Sequence, residues 1–262
     1  MPQHIPLDGA TNFRDFGGYA TPQGHVVHGR LYRSDRLSEL SEADYRRLEP
    51  LQIELVVDLR RPSELRTHPT RWSGSVAPEL WHTPLIDDDG APSPFRNLVE
   101  DPEARHSQEP AVRHMEAIYR RLIREALPRQ QFKQIIERLA DTNGPTMIVH
   151  CSGGKDRTGI VVALIQSLLG VAEADIIDDF MLSERYYDGS ALMLERASQV
   201  LDTDDADFDT NALLPVFTVR RSYIEAALDE IISAHQSVER YLDDAVGVAP
   251  DAIDRLRAQL IS

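Results

Sequence analysis

The one cysteine among 262 residues lies in His150-Cys-Ser-Gly-Gly-Lys-Asp-Arg-Thr-Gly159, six residues ahead of an arginine. That spacing suits a nucleophile paired with an anion clamp. If the loop curls on itself, the backbone N–H groups of Ser152 to Arg157 converge as a nest, and a following helix adds its positive N-terminus. Gly153 and Gly154 allow backbone angles that a side chain would forbid, so the amides can meet at one point. Arg157 returns to the mouth of the loop and grips phosphate oxygens through two parallel hydrogen bonds. The same positive field favours the Cys151 thiolate over the thiol, which makes the sulfur nucleophilic near neutral pH. Thr158 is placed to donate a hydrogen bond to that thiolate when it leaves in a second step. The expected chemistry is cysteine-dependent hydrolysis of a phosphomonoester.

Competing chemistries fit less well. A cysteine at the end of an apolar strand is usually a small buried hydrophobe, but here each of the six following residues has a mechanical role. Gly154-Lys155 resembles part of a nucleotide-binding loop, yet that motif needs Ser or Thr directly after the lysine. Asp156 stands there instead, and its carboxylate would repel the β-phosphate. Sulfur-transfer enzymes also place cysteine in an anion loop, usually a shorter one without this arginine. A phosphate-binding module that has lost catalysis usually lacks the cysteine or the arginine, and both are present.

The loop needs a strand before it and a helix after it. Pro145 to His150 reads as a short buried strand, and Gly159 to Leu169 as a fully apolar helix. Ile53 to Asp58 is a β-branched run with a polar end, as expected of a central strand that stops at a site. Leu80 to Ile86 predicts another strand, feeding the polar loop Asp87 to Pro94. Near the N-terminus, His25-Val-Val-His28 and Leu31-Tyr-Arg33 predict two edge strands joined by tight turns at Gly24 and Gly29. Ser41 followed by Asp44 marks a helix start that runs to Leu48. Apolar spacing from Pro110 to Ala140 is helical, with Pro128 as the expected break. From Glu173 to Ser262 the pattern is almost wholly helical, interrupted by the acidic run Asp202 to Asp209, the best candidate for a mobile or lid-like loop. Strands alternating with helices predict an α/β fold with a mainly parallel central sheet flanked by helices. Residues 1–262 are expected to form one domain, with 173–262 a helical cap, extension or lid.

Composition narrows the partners. With 43 acidic and 28 basic side chains, the net charge is -15. That balance argues against nucleic acid, whose phosphates must be neutralised, and against stable membrane insertion or tight docking on an anionic bilayer. A lone cysteine leaves no internal disulfide. Neither a signal peptide nor a membrane-spanning run is visible, so a cytoplasmic location is expected, with signal-less export left open. Oligomeric state is not legible.

The loop sequence His150-Cys-x-x-Gly-Lys-Asp-Arg-Thr-Gly159 resembles the signature of the bacterial tyrosine-phosphatase family that includes secreted mycobacterial and listerial phosphatases. Asn12-Phe-Arg-Asp-Phe-Gly-Gly-Tyr19, Gly29-Arg-Leu-Tyr-Arg-Ser-Asp35 and Val57-Asp-Leu-Arg60 resemble that family's N-terminal motifs. Val219-Arg-Arg-Ser-Tyr-Ile-Glu225 and Ser237-Val-Glu-Arg-Tyr-Leu242 resemble its C-terminal helical ones. The resemblance covers most of the chain. It implies the cysteine-phosphatase fold and a two-step reaction through a cysteinyl-phosphate, with no metal and no cofactor.

Under that resemblance Cys151, Arg157 and Asp156 are the expected catalytic residues. Ser152, Gly153, Gly154, Lys155 and Thr158 are the expected substrate contacts, supported by His150 and Asp58. Asp156 is the favoured general acid, with pairing to Lys155 or Arg157 as its structural alternative. The carboxylates of Asp87, Asp88 and Asp89 after a strand are the competing acid loop. Lys155 is expected to meet a second anionic group, which widens the substrates from phosphotyrosine to phosphoinositides and phosphoserine or phosphothreonine, with a surface lysine paired to Asp156 as its structural alternative. Arg14, Arg33 and Arg60 are expected either to add positive potential around the site or to serve as surface ion-pair partners. Substrates are therefore expected among phosphorylated proteins, phosphoinositides and small phosphomonoesters; the runner-up is a nucleotide or metabolite phosphatase.

Overall fold

A computed structural model of the chain describes residues 2–88, 98, 101–142, 144–190, 193 and 209–262. Its strands are β1 (Gln3–His4), β2 (Arg14–Asp15), β3 (Ala20–Thr21), β4 (Gly24–His25), β5 (Leu31–Ser34), β6 (Leu55–Asp58), β7 (Glu79–His82) and β8 (Met147–His150). Six of them form one sheet in the order β1-β2-β5-β8-β6-β7, while β3 and β4 make a separate hairpin. The four strands from β5 to β7 run parallel, and β1 and β2 add antiparallel to the β5 side.

β8 sits in the middle with both faces covered, so its residues Met-Ile-Val carry no polar alternation. Its side chains alternate between two cores. Val149 joins Val57 in the larger core, while Ile148 joins Val56, Phe13, Tyr32 and Leu48 on the opposite face. Helix α1 (Glu42–Leu48) covers the smaller core. It opens on a full capping box, in which the Asp44 amide donates to Ser41 Oγ and the Ser41 amide donates to the Asp44 carboxylate. Helix α2 (Pro62–Thr67) follows β6.

The larger core is closed by α3 (Glu109–Arg124), α4 (Ala126–Leu139), α5 (Asp156–Leu168), α6 (Glu173–Met181), α9 (Arg221–His235) and α10 (Pro250–Leu260), with short helices α7 (Ser183–Tyr186) and α8 (Leu214–Phe217) between α6 and α9. Helix α5 is apolar all round and buried on nearly every side, as its sequence requires. Phe180, Tyr223, Leu228, Tyr241 and Leu256, all beyond Glu173, share this core with the sheet. No helix among the described residues is long and apolar enough to cross a membrane.

Two expectations need correction. Leu31–Ser34 is an inner strand, not an edge one, and all four of its residues are buried. Its polar residues disguised it, because Arg33 finds an internal partner. The break between α3 and α4 falls at Glu125 rather than Pro128. Pro128 lies in the first turn of α4, where a missing N–H costs no intrahelical hydrogen bond. Residues 89–94 of the expected acid loop and 202–208 of the acidic run lie outside the described residues.

Candidate active site

The register of the parallel strands brings Ser34, His150 and Asp58 side by side at their carboxyl ends. Ligand sites of open α/β sheets form at such ends. The loop from Cys151 to Lys155 leaves β8 there and turns directly into α5.

Three consecutive carbonyls of this loop are held from outside. Ser152 O accepts from the Arg36 amide at 3.1 Å, Gly153 O from Asn12 Nδ2 at 2.9 Å, and Gly154 O from Arg33 Nη2 at 2.9 Å. In a trans peptide the C=O and the next N–H point in opposite directions. Pinning the carbonyls outward therefore aims the amides of Gly153, Gly154 and Lys155 toward the loop's interior. Gly154 makes the turn at φ 63°, and a Cβ there would collide with the Ser34 carbonyl oxygen. At Gly153 a Cβ would come within 3.1 Å of the Tyr187 ring. Gly154 is thus required by backbone angle and close approach, whereas Gly153 has no positive φ and is set only by the tight approach of the Tyr187 ring.

Arg157 crosses to α2. Its Nη1 donates to Glu64 Oε2 at 2.5 Å and its Nη2 to Glu64 Oε1 at 2.9 Å. Glu64 Oε1 also accepts from Ser152 Oγ at 2.6 Å. Burial works against the Glu64 charge, but the Arg157 hydrogen bonds and charge outweigh it and bring the carboxyl down to about 2. Burial likewise opposes the Arg157 charge, and Glu64 together with the Cys151 charge raises it further above its ordinary range. A guanidinium has five N–H donors. Glu64 takes the end of the fork, and no hydrogen bond to a described residue uses the side edge formed by Nε and Nη2. That edge presents the two parallel donors a phosphate needs.

The N-terminal motifs build the frame for the loop. Asn12 holds Gly153, and Arg14 fixes Asn12 by donating to its side-chain oxygen and, at 3.2 Å, to its carbonyl. Arg33 holds Gly154 and pairs with Asp179 of α6 at 2.6 Å. Arg14 lies 3.8 Å from the same carboxylate. Burial, and then the Arg33 charge, push Arg14 down to about 9. Arg60 is held bidentately by Asp58 and also donates to the His68 carbonyl and Thr70. Arg14, Arg33 and Arg60 are all fully buried. They are not surface ion pairs: Arg60 is answered by Asp58, while Arg14 and Arg33 share the single carboxylate of Asp179, which leaves an excess of positive charge behind the loop.

Cys151 is 1% exposed at the floor of the loop. His150 Nδ1 lies 3.2 Å from the Cys151 carbonyl oxygen. A carbonyl only accepts, so the hydrogen sits on Nδ1. Burial pushes the His150 imidazole down, opposed only in part by Asp58, whose Oδ2 is 3.6 Å from Nε2. Burial also opposes the Asp58 charge, yet His150 and Arg60 together hold that carboxyl below its ordinary range. Thr158 Oγ1 is buried and makes no hydrogen bond with a described residue.

Asp156 receives two donors. Tyr119 OH donates to Oδ1 at 2.8 Å, and Lys155 Nζ to Oδ2 at 2.7 Å. Burial and the Asp156 charge keep the Tyr119 phenol far above its ordinary range, so it stays a donor. Asp88, in the competing carboxylate run, is engaged elsewhere: it accepts from Ser63 Oγ at 2.6 Å and pairs with Arg66 at 2.9 Å. Asp87 is exposed, and Asp89 lies outside the described residues.

Sequence reasoning missed Glu64, Asn12, Asp179 and Tyr119. Glu64 carried one readable signal, since Pro62 with Glu64 three residues after Arg61 marks a helix start. Nothing local tells that the same carboxylate reaches across to Arg157.

The tyrosine phosphatase family profile matches residues 5–262. The triple specificity protein phosphatase PtpB of Mycobacterium tuberculosis is 31% identical over 97% of this chain and 98% of its own length. A putative tyrosine-protein phosphatase of Cupriavidus necator is 30% identical over 93% of this chain and 84% of its own. Among solved structures, the core catalytic domain of the yeast PP-IP phosphatase SIW14 aligns with 75% of this chain and 96% of its own, at 16% identity and a TM-score of 0.33. On the sequence matches across nearly its whole length, the chain belongs to the tyrosine phosphatase family and is a cysteine-based phosphatase.

Proposed function

We propose that this chain hydrolyses phosphotyrosine in proteins, with dual or phosphoinositide specificity, through a phosphocysteine at Cys151. The observation that carries the proposal is the loop itself: three carbonyls pinned outward, with the Nε–Nη2 edge of Arg157 left unused by any described residue. A trigonal array of phosphoryl oxygens suits this cradle, and stabilising the charge on those oxygens is most of what phosphoryl transfer requires.

In the first step Cys151 Sγ attacks phosphorus and the bond to the leaving oxygen breaks. Asp156 supplies the proton that oxygen takes. In the second step water attacks the phosphocysteine, Asp156 accepts the water's proton, and the S–P bond breaks. Thr158 donates a hydrogen bond to the departing thiolate. Ser152, Gly153, Gly154 and Lys155 contribute backbone amides to the phosphoryl group in both steps. Asp58 and His150 support the loop from behind.

The mycobacterial relative's name, triple specificity phosphatase, supports the broad substrate range. Substrate class is tested by comparing a phosphotyrosine peptide, soluble inositol phosphates and nucleoside monophosphates at equal concentration. The expected result is highest kcat/KM on the peptide. Strong turnover of a nucleotide with none of the peptide would replace this reading with a small-molecule phosphatase.

A further inference from the structure

Lys155 was expected to face the substrate, but its ammonium group faces inward. The side chain is 6% exposed, and Nζ donates to Asp156 Oδ2 at 2.7 Å, to the Val216 carbonyl at 3.0 Å and to the Thr218 carbonyl at 3.3 Å. An ammonium carries three hydrogens, and three acceptors account for all of them. None remains for a second anionic group of a substrate while this arrangement holds. Two of the acceptors are carbonyls at the end of α8, which fix the ammonium without competing for Asp156.

Asp156 needs such help. Its carboxylate stands next to Arg157 at the first turn of α5, where two donors hold it. Tyr119 and Lys155 grip one oxygen each. Tyr119 is fully buried and so is a rigid post. Together they set the plane and direction of the carboxyl relative to the loop.

We infer that Lys155 is a positioning residue for Asp156: with Tyr119 it aims the carboxyl that exchanges a proton with the leaving oxygen, and it does not bind the substrate anion. This inference rests on Asp156 being the general acid. It places the selection of Lys at this position in the chemistry of proton transfer rather than in the recognition of a second phosphate. It also ties the acid to α8, since the ammonium holds Asp156 and the Val216 and Thr218 carbonyls at once.

The test is the dependence of kcat/KM on leaving-group basicity. Phenyl phosphate, whose leaving oxygen needs a proton, is compared with aryl phosphates of progressively more acidic phenols, such as 4-nitrophenyl phosphate, which need it less. Asp156→Asn is expected to lose roughly 10²–10⁴-fold on phenyl phosphate, the usual contribution of general acid–base catalysis, and far less on the most activated ester. Lys155→Met is expected to steepen the dependence in the same sense, with a loss on phenyl phosphate of roughly tenfold or more, below that of Asp156→Asn. Combined with Asp156→Asn it should add little, because the two act as one unit. KM for a soluble inositol polyphosphate, relative to phenyl phosphate, should stay unchanged in Lys155→Met. If that variant does not fold, Tyr119→Phe removes the other donor and should steepen the same dependence. A steep dependence in Asp156→Asn beside a wild-type dependence in Lys155→Met, or in Tyr119→Phe where that variant stands in, overturns the inference alone. A selective rise in KM for the inositol polyphosphate does so too. A flat response in Asp156→Asn overturns the acid assignment on which the inference stands.

Discussion

Glu64 and Arg157 meet end to end, the carboxylate oxygens accepting from both terminal nitrogens of the guanidinium at 2.5 and 2.9 Å. Glu64 belongs to α2 after strand β6, and Arg157 to the start of α5 after β8, so the pair ties two parallel strand ends together across the mouth of the loop. It also leaves the Nε–Nη2 edge of Arg157 as the one open to the proposed phosphate. Glu64→Gln should keep the fold but lower kcat/KM by on the order of 10–100-fold, since small displacements of a charged clamp are costly in the transition state. Steady-state kinetics on an aryl phosphate check this.

The same pair has a pH signature. The Glu64 carboxyl lies at about 2 in the folded chain, against an ordinary 4.5. A depressed carboxyl contributes stability that is present above 4.5 and is lost as pH falls toward 2. The difference in melting temperature between wild type and Glu64→Gln should therefore shrink between pH 6 and pH 3. A constant difference over that window would mean that Glu64 is not held by Arg157.

Gly154→Ala tests the geometry of the cradle. Residue 154 sits at φ 63°, and a methyl group would drive into the Ser34 carbonyl. A left-handed non-glycine residue costs about 1–2 kcal/mol before that collision is counted. The variant should lose more than about 100-fold in kcat/KM, because the converging amides would no longer aim at one point. Asn12→Ala, which removes the pin on Gly153 O together with the side-chain oxygen that Arg14 donates to, should lose less, about tenfold, in the same assay.

Asp35 follows β5 and anchors the residue that anchors the loop. Its Oδ1 accepts from the Asn12 amide at 3.1 Å, and Asn12 Nδ2 holds Gly153 O. Burial pushes the Asp35 carboxyl up to about 6 from 3.8, more than its hydrogen bonds pull it down. The folded chain then binds this proton more tightly than the unfolded one, so stability falls as pH rises from 4 through 6. Asp35→Asn removes the ionisation and can still accept from Asn12. Its melting temperature relative to wild type should be higher at pH 8 than at pH 4.5, by the equivalent of at most about 3 kcal/mol. Equal differences at the two pH values would contradict this account.

How much was legible in the sequence differs between the loop and its frame. Cys151, Gly153, Gly154, Arg157 and Thr158 lie within eight residues, so the roles proposed for them can be read from local spacing alone. Strand β8 and helix α5 were legible because their apolar runs leave no other burial pattern. Strand β5 was misplaced because Arg33 looks like surface, and only the fold brings Asp179 to it from 146 positions away. Glu64 reaches Arg157 across 93 positions and Tyr119 reaches Asp156 across 37. Such pairings depend on the order of strands in the sheet, which no local pattern encodes. The substrate role expected for Lys155 arose the same way, since the carbonyls of Val216 and Thr218 lie beyond any local reading.

Attack of Cys151 on phosphorus is put to the test by Cys151→Ser. The measurement is turnover of 4-nitrophenyl phosphate by that variant beside binding of the intact substrate. The account predicts turnover reduced to background while phosphate-ester binding persists, because the amides and Arg157 remain in place. Turnover that survives the substitution would contradict the cysteine mechanism.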